Sequence, residues 1–292
     1  MVEIYKNVKS FYEEYERLFR EREAAFQLIV SNALREKDKR CSPEMFFGRS
    51  TDERGQSVLL FCKGGEFPLC IYSLSNEKEE IYVKELAQFC LEYKIPIQGI
   101  NAKKSICESF IQTYEKEEMG RFKLHLEMEI MELRELVPIS LAKGFSAKPS
   151  LKELELLTKW EILFAKEALG RKLGIKETLD KVRKKIQMGI LYVYYNEYNQ
   201  PVSVLNKARQ LTRGVVLNEV YTPTQYRGRG YAQSNVYLAS KTFLEEGNQY
   251  CCLFVDKKNP ISNRVYQKIG YKNIGACDSY KWEKKASFLL NR

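Results

Sequence analysis

The chain has a single histidine, His125, in 292 residues, and that scarcity excludes several chemistries at once. A Ser-His or Cys-His nucleophile pair has only His125 to use, and this residue lies in the alternating run RFKLHLEMEIMEL, far from any glycine-rich motif. It is read as structural or surface. None of the eight cysteines forms a C-x-x-C pair, so zinc spacing is absent and no metal is expected. The cysteines read as buried thiols, including the vicinal Cys251-Cys252 of YCCLFV, where neighbouring strand side chains point to opposite faces. No apolar run approaches the roughly 18 residues that a membrane span requires. The opening stretch MVEIYKNVKSFYEEYERLF carries acids throughout and lacks an apolar segment followed by small residues, so a secretory signal is not expected. The protein is read as cytoplasmic.

At 292 residues the length favours two domains, each able to bury its own core. Charge divides unevenly between them: residues 1–136 hold 21 Lys and Arg against 25 Asp and Glu, a net −4. Residues 137–292 hold 27 against 13, a net +14. An anionic partner is therefore expected in the second half, either a phosphate-bearing small molecule or nucleic acid.

Apolar spacing predicts one or two amphipathic helices over 3–36 and strands at SVLLFC and FPLCIYSL, joined through KGGE as a hairpin. A helix is predicted over Ile81–Tyr93, another over 103–119, and a single strand over Phe122–Leu133. VPISLAKGFSAKPS breaks the periodicity, which places the domain boundary near Val137, with domains 1–136 and 137–292. Beyond it the spacing predicts helix, helix, three strands, helix, strand, helix and strand, with no internal repeat visible in the residues.

The third of those strands, GVVLNEVYT, runs into TQYRGRGYA. Gly228-Arg229-Gly230 lacks the third glycine of a dinucleotide fold and the Gly-Lys-Ser/Thr of a P-loop. A glycine turn entering a helix still exposes backbone N–H groups at the positive end of the helix dipole, which suits phosphate oxygens. Arg227 and Arg229 add full charges there. Downstream, Pro260–Ile269 is predicted as a short helix, with Pro260 at its first position, Gly270 past its end, and Tyr266 at the edge of its apolar face.

Arg227-Gly228-Arg229-Gly230-Tyr231-Ala232 resembles the R/Q-x-x-G-x-G/A signature of the GCN5-related N-acetyltransferases. VDKKNPISNRVYQKIGY resembles the later segment of that superfamily, through Asn259, Tyr266, Gly270 and Tyr271. The two runs together look like a bacterial subgroup of predicted acetyltransferases of about this length, which carry a degenerate N-terminal copy of the fold. The resemblance implies an α/β (α+β mixed) chain of two tandem acetyltransferase-like domains, each a mixed, mostly antiparallel sheet flanked by helices. It implies acetyl-coenzyme A as cosubstrate, without a metal, and transfer of its acetyl group to a primary amine of a small molecule or peptide in a ternary complex.

By the same resemblance, backbone N–H groups of Val220, Tyr221 and Thr222 would hold the pantetheine and the thioester oxygen. The diphosphate would sit at Arg227, Gly228, Arg229, Gly230, Tyr231 and Ala232. Asn259 would contact the pantetheine, and Tyr266 would give a proton to the departing thiolate. The general base is left open between Glu219 and an ordered water. The first half lacks the signature and is not expected to bind coenzyme A; its acidic balance suggests that it contributes to a pocket for a cationic acceptor. Two other readings are a non-catalytic acyl-coenzyme A sensor, and transfer of another acyl group to a hydroxyl or thiol. Nucleic acid binding has the charge in its favour but no aromatic-basic module, so it is not expected.

Overall fold

A computed structural model describes residues 1–75, 79–117 and 120–284. In the first half the elements are β1 (Val2–Ile4), α1 (Val8–Arg22), α2 (Gln27–Glu36), β2 (Met45–Thr51), β3 (Ser57–Gly64), β4 (Leu69–Ser73), α3 (Glu79–Glu92), β5 (Gly99–Ala102), α4 (Lys104–Glu117), β6 (Gly120–Leu126) and β7 (Met128–Leu133). The second half has β8 (Gly144–Ala147), α5 (Leu154–Leu169), α6 (Ile175–Gln187), β9 (Leu191–Asn196), β10 (Pro201–Gln210), β11 (Gly214–Tyr221), α7 (Tyr231–Glu245), β12 (Tyr250–Asp256), α8 (Pro260–Ile269), β13 (Lys272–Ala276) and β14 (Asp278–Lys284). The order strand, two helices, three strands, helix, strand, helix, two strands thus occurs twice. The residues show no repeat, because the two halves meet the same burial pattern with different apolar side chains.

Two mixed, mostly antiparallel sheets of seven strands result, in the orders β1-β2-β3-β4-β5-β14-β6 and β13-β7-β12-β11-β10-β9-β8. Each contains a parallel pair at the corresponding place, β4 with β5 and β11 with β12. The last strand of each half lies in the other half's sheet, β14 between β5 and β6, and β7 between β13 and β12. The predicted strand over Phe122–Leu133 is accordingly two strands broken at Glu127, each serving a different sheet. The chain forms two compact units that are not contiguous in sequence: Met1–Ile130 with Val255–Asn259 and the chain from Ile274, and Met131–Phe254 with Pro260–Asn273.

In the first unit β3 is buried on both faces from Val58 to Lys63, as helices on both sides of a sheet require. Leu59 and Phe61 join the core of Val83, Leu86 and Phe110 from α3 and α4. Cys62 points the other way, to Asn32 of α2. β14 extends this core toward the edge strand β6, and there Trp282 packs edge-on to Phe122 and Tyr114 at 4.8 and 5.4 Å between ring centres. Gly120 lies beneath the indole, which leaves no room there for a Cβ.

The second unit repeats the layering. Leu157, Trp160, Val182 and Ile186 of α5 and α6 pack on Leu191, Val193, Val204 and Tyr221. On the opposite face α7 covers Tyr192, whose ring meets Phe243 edge-on at 5.1 Å. A 3-10 turn, Leu151–Glu153, leads into α5 and is capped reciprocally by Ser150 and Glu153, while Gly170 ends α5 in the left-handed region at φ 60°. No helix among the described residues is long and apolar enough to cross a membrane.

All eight cysteines are free thiols, seven of them buried. Burial pushes Cys90 and Cys251 up to about 12 from an ordinary 9.0, and raises Cys62, Cys277 and Tyr271 well above their usual values. These groups keep their protons in the folded chain and lose them first in the unfolded one. Stability is therefore whole below about pH 9 and falls as pH rises from there toward 12. Thermal unfolding in reducing buffer is expected to show a midpoint that is level from pH 7 to about 8.5 and drops steadily by pH 10.5; a level midpoint throughout would contradict the burial argument. Trp282→Ala is expected to cost about 2 kcal/mol in denaturant unfolding, somewhat below the scale of a fully buried aromatic because the indole is only partly buried. A loss under about 0.5 kcal/mol would mean that β14 is not anchored by its indole.

Candidate active site

The pairing of β11 with β12 runs from Gly214–Tyr250 to Leu217–Leu253 and stops there, although β11 continues to Tyr221. On that edge Asn218–Tyr221 have no ladder partner among the described residues. On the other edge β11 stays paired with β10, but out of step: Asn218 faces Asn206 and Tyr221 faces Val204, so three steps on β11 match two on β10. The extra residue makes a bulge, and Glu219 within it has φ 51°, in the left-handed region that residues other than Gly, Asn and Asp seldom adopt. Val220 is half-buried and Tyr221 is buried. Thr222 follows, its hydroxyl donating to Ser203 Oγ at 2.9 Å.

From Thr222 the chain makes one 3-10 turn, Thr224–Tyr226, and then enters α7 through Arg227-Gly228-Arg229-Gly230. Both glycines are left-handed, at φ 77° and 76°. A Cβ at Gly228 would meet nothing within 4 Å, and one at Gly230 only Ala142 Cβ at 4.0 Å, so the mouth of the helix is open. Its N-cap residue, Gly230, has no side chain with which to cap it. Its first N–H groups, those of Tyr231 and Ala232 among them, have no intrahelical acceptor and point out with the positive end of the dipole. The start of α7 is held from below. Ser234 Oγ accepts from the Ala142 N–H at 2.9 Å, and Asn235 donates to the Tyr192 carbonyl at 3.0 Å.

The two arginines expected at this mouth differ. Arg229 is exposed and forms no ion pair among the described residues. Arg227 is engaged: its Nε donates to the Thr222 carbonyl at 2.8 Å, and its Nη2 pairs with Glu167 at 2.5 Å. Its guanidinium also lies 5.7 Å from the centre of the Tyr221 ring, and the Tyr221 hydroxyl donates to the other Glu167 oxygen at 3.0 Å. The Arg227 guanidinium holds the Glu167 carboxyl below the usual carboxylate range, while burial first and then Glu167 push Tyr221 up to about 12. This strap fixes the loop after β11 to α5.

Glu219, expected as a candidate base, is also engaged. Its Oε2 accepts from Lys185 Nζ at 2.5 Å, and its Oε1 stands 4.0 Å from Lys181 Nζ. Glu161 of α5 binds both lysines, each at 2.7 Å. Burial alone would lower the Lys181 amine, but Glu161 and Glu219 more than offset it and hold the amine above its usual value. Beside these charges a cavity of about 20 Å³ is lined by Leu157, Trp160, Phe164 and Tyr221 together with Glu161 and Glu219. That is room for about one water.

Tyr266 lies on the buried face of α8, its ring 5.8 Å from that of Tyr271. Tyr271 shares a hydroxyl hydrogen bond of 2.8 Å with Ser240. The Tyr266 hydroxyl is raised above its ordinary value by desolvation alone. It therefore stays protonated across the neutral range. Asn259 falls to the first unit, its N–H donating to the Asp256 carbonyl at 3.0 Å.

The second unit thus brings together Glu219, Val220, Tyr221 and Thr222 on one strand end and Gly228 to Ala232 at the following helix mouth. Glu161, Glu167, Lys181 and Lys185 are additions that the sequence did not single out. In sequence Lys181 and Lys185 are two of many charges on α6, and only their i, i+4 spacing beside Val182 and Ile186 hinted at an inward-facing pair.

Residues 204–282 match the model of a family described as FR47-like protein. Among curated protein sequences none matches the chain. Solved structures align with it far more widely. An acetyltransferase of the GNAT family from Colwellia psychrerythraea aligns over 97% of this chain and 100% of its own, with a TM-score of 0.54 and 10% identity. A GCN5-related N-acetyltransferase from Sphaerobacter thermophilus covers 89% and 91%, with a TM-score of 0.56 and 12% identity. A Drosophila protein covers 97% and 98%, with a TM-score of 0.65 and 11% identity. At such identities it is the fold that is shared. Along nearly its whole length, then, this chain has the fold of the GCN5-related N-acetyltransferases.

Proposed function

We propose that the chain transfers an acetyl group from acetyl-coenzyme A to a primary amine. The observation that carries this reading is the union, in one stretch of chain, of an unpaired strand edge at Asn218–Tyr221 and an open, uncapped helix mouth at Gly230. The first presents backbone N–H and C=O groups together, which suit an extended amide chain and, through the N–H groups, a carbonyl oxygen. The second suits a diphosphate. Acetyl-coenzyme A would bring both an amide-bearing pantetheine and a diphosphate, together with an activated acyl group and a thiolate that needs a proton on leaving.

Each residue then has a task that follows from its setting. N–H groups of Tyr231 and Ala232, with Arg229, bind the diphosphate, and the left-handed glycines keep side chains out of its way. N–H groups of Val220, Tyr221 and Thr222 bind the pantetheine and the acyl oxygen. Tyr266 Oη, buried and neutral, holds the proton for the thiolate. Arg227 serves the site by fixing the loop, since its charge is already met by Glu167. Both Glu219 oxygens face lysine ammonium groups, so a water in the adjoining cavity takes the proton of the acceptor amine. An acceptor larger than one or two atoms enters that cavity only by displacing side chains of α5 and α6.

Acetyl-coenzyme A is expected to raise the apparent melting temperature in a concentration-dependent way, and a panel of primary amines to release free thiol that a chromogenic reagent detects. No shift and no thiol would dismiss the reading. Tyr266→Phe should lower kcat about 100-fold and leave KM for acetyl-coenzyme A within about 3-fold, the range for one general acid lost. Equal turnover in the variant would remove Tyr266 from the chemistry. Gly230→Ala adds a Cβ at ordinary contact distance but at φ 76°, so the helix mouth must shift. The expected result is acetyl-coenzyme A binding weaker by about tenfold in calorimetry, against a melting temperature lower by only a few degrees.

A further inference from the structure

The left-handed conformation of Glu219 is unfavourable for a residue with a Cβ and a branched carboxylate, so something must hold it. Asn206 Nδ2 ties Asn218 on one side at 2.8 Å, and Ser203 Oγ ties the Tyr221 carbonyl on the other at 3.2 Å. Between these points the bulge is anchored, among the described residues, by the Glu219 carboxylate itself, gripped by Lys185. Lys185 is in turn fixed by Glu161, and both of these side chains are 9% exposed. Ion pairs at the surface are weakened by water and salt, but this one is shielded from both.

We infer that Lys185, backed by Glu161, is a positioning residue: its ion pair with Glu219 holds the bulge of β11 and so aims the N–H groups of Val220 to Thr222. Glu219 then acts through the backbone, as a tether for the strand, and not as the group that takes the acceptor's proton. The chemistry agrees with the geometry, because a tether has to be occupied at all times and a base has to be free. Lys181, more exposed and 4.0 Å from Glu219, neutralises the remaining carboxylate charge without fixing the strand. This inference rests on the acetyl-transfer reading for its kinetic consequences, but not for its structural one.

The two consequences are read separately. In kinetics, Lys185→Met should lower kcat about tenfold with KM for acetyl-coenzyme A changed less than about 3-fold, and Lys185→Arg, which keeps a cation able to bridge two carboxylates, should recover most of the loss. At Glu219 the comparison is between two truncations. Glu219→Gly loses the tether but also the strain, whereas Glu219→Ala loses the tether and keeps the strain; the glycine variant should retain about fivefold more kcat. If both truncations are equally impaired and both erase the acidic limb of the pH–rate profile, Glu219 is a base and the inference falls. In the ligand-free protein, amide hydrogen exchange across the β10–β11 ladder beside the bulge, Val204–Asn206 with Asn218–Tyr221, should quicken in Lys185→Met and in Glu219→Ala. Unchanged exchange overturns the inference, whatever the activity. Faster exchange in a protein that releases no thiol with any amine upholds the tether and dismisses acetyl transfer. Should Lys185→Met fail to fold, the two Glu219 variants still decide the question.

Discussion

β11 is paired along both edges as far as Leu217 and along only one edge beyond it. Backbone donors inside a protein are almost always paired, so a strand that stops pairing within a sheet needs another partner for them or must keep that edge open to water or a ligand. The bulge at Glu219 sets how far the edge turns, and the strap of Arg227, Glu167 and Tyr221 sets where the chain goes next. The helix mouth at Gly230 then supplies a second set of open donors only a few residues further on. A single stretch from Asn218 to Ala232 therefore carries two kinds of donor row, and the rest of the second unit keeps that stretch in place.

The first unit shows what happens to the same plan when the local chemistry changes. It too has a parallel pair at the middle of its sheet, β4 with β5, and a helix, α3, following the strand. But α3 begins with Glu79 and Glu80, whose carboxylates meet the positive end of the dipole themselves and repel phosphate. Glu79 also accepts from Ser105 at the start of α4, at 2.9 Å. Layering and core in this unit need only apolar residues at the right spacing; the donors and charges of a site are separate requirements.

Much of the architecture was legible because periodicity reports burial directly. The helix from Tyr231, the helix over Pro260–Ile269 and the strands of YCCLFV and GVVLNEVY have the bounds that spacing and flanking glycine and proline gave them, though the helix over Pro260–Ile269 buries Tyr266 and Ile269 and leaves Ile261 exposed. Strand exchange was not legible, since Phe122–Leu133 alternates without a break and nothing local says that Glu127 ends one sheet's strand and opens the way to another's. The short strands β2, β5 and β8 were missed for a related reason: four to seven residues rich in glycine or charge give little period to read. At the site, glycines and an open helix mouth could be foreseen from their backbone needs. The Glu161 and Lys185 pair could not, because a charged side chain on an amphipathic helix reads as solvated until the neighbouring helix is seen to bury it.

Charge makes the same point about scale. The second half of the sequence is strongly basic, yet an anion at α7 feels its immediate surroundings far more than that total. Lys181 and Lys185 are matched by Glu161 and Glu219, and Arg227 by Glu167. Each such pair is close to neutral at the distance of a ligand and contributes little to its binding. What remains at the helix mouth is Arg229, the unpaired N–H groups and the aligned peptide dipoles. Recruiting Arg227 as well would mean breaking a 2.5 Å contact to Glu167 and its hydrogen bond to the Thr222 carbonyl, which would free the very loop that presents the site. Arg227 is therefore placed as a fixed strut of the loop, and on the acetyl-transfer reading proposed above any preference for a diphosphate over a single carboxylate would come from the number of backbone donors that one anion can reach.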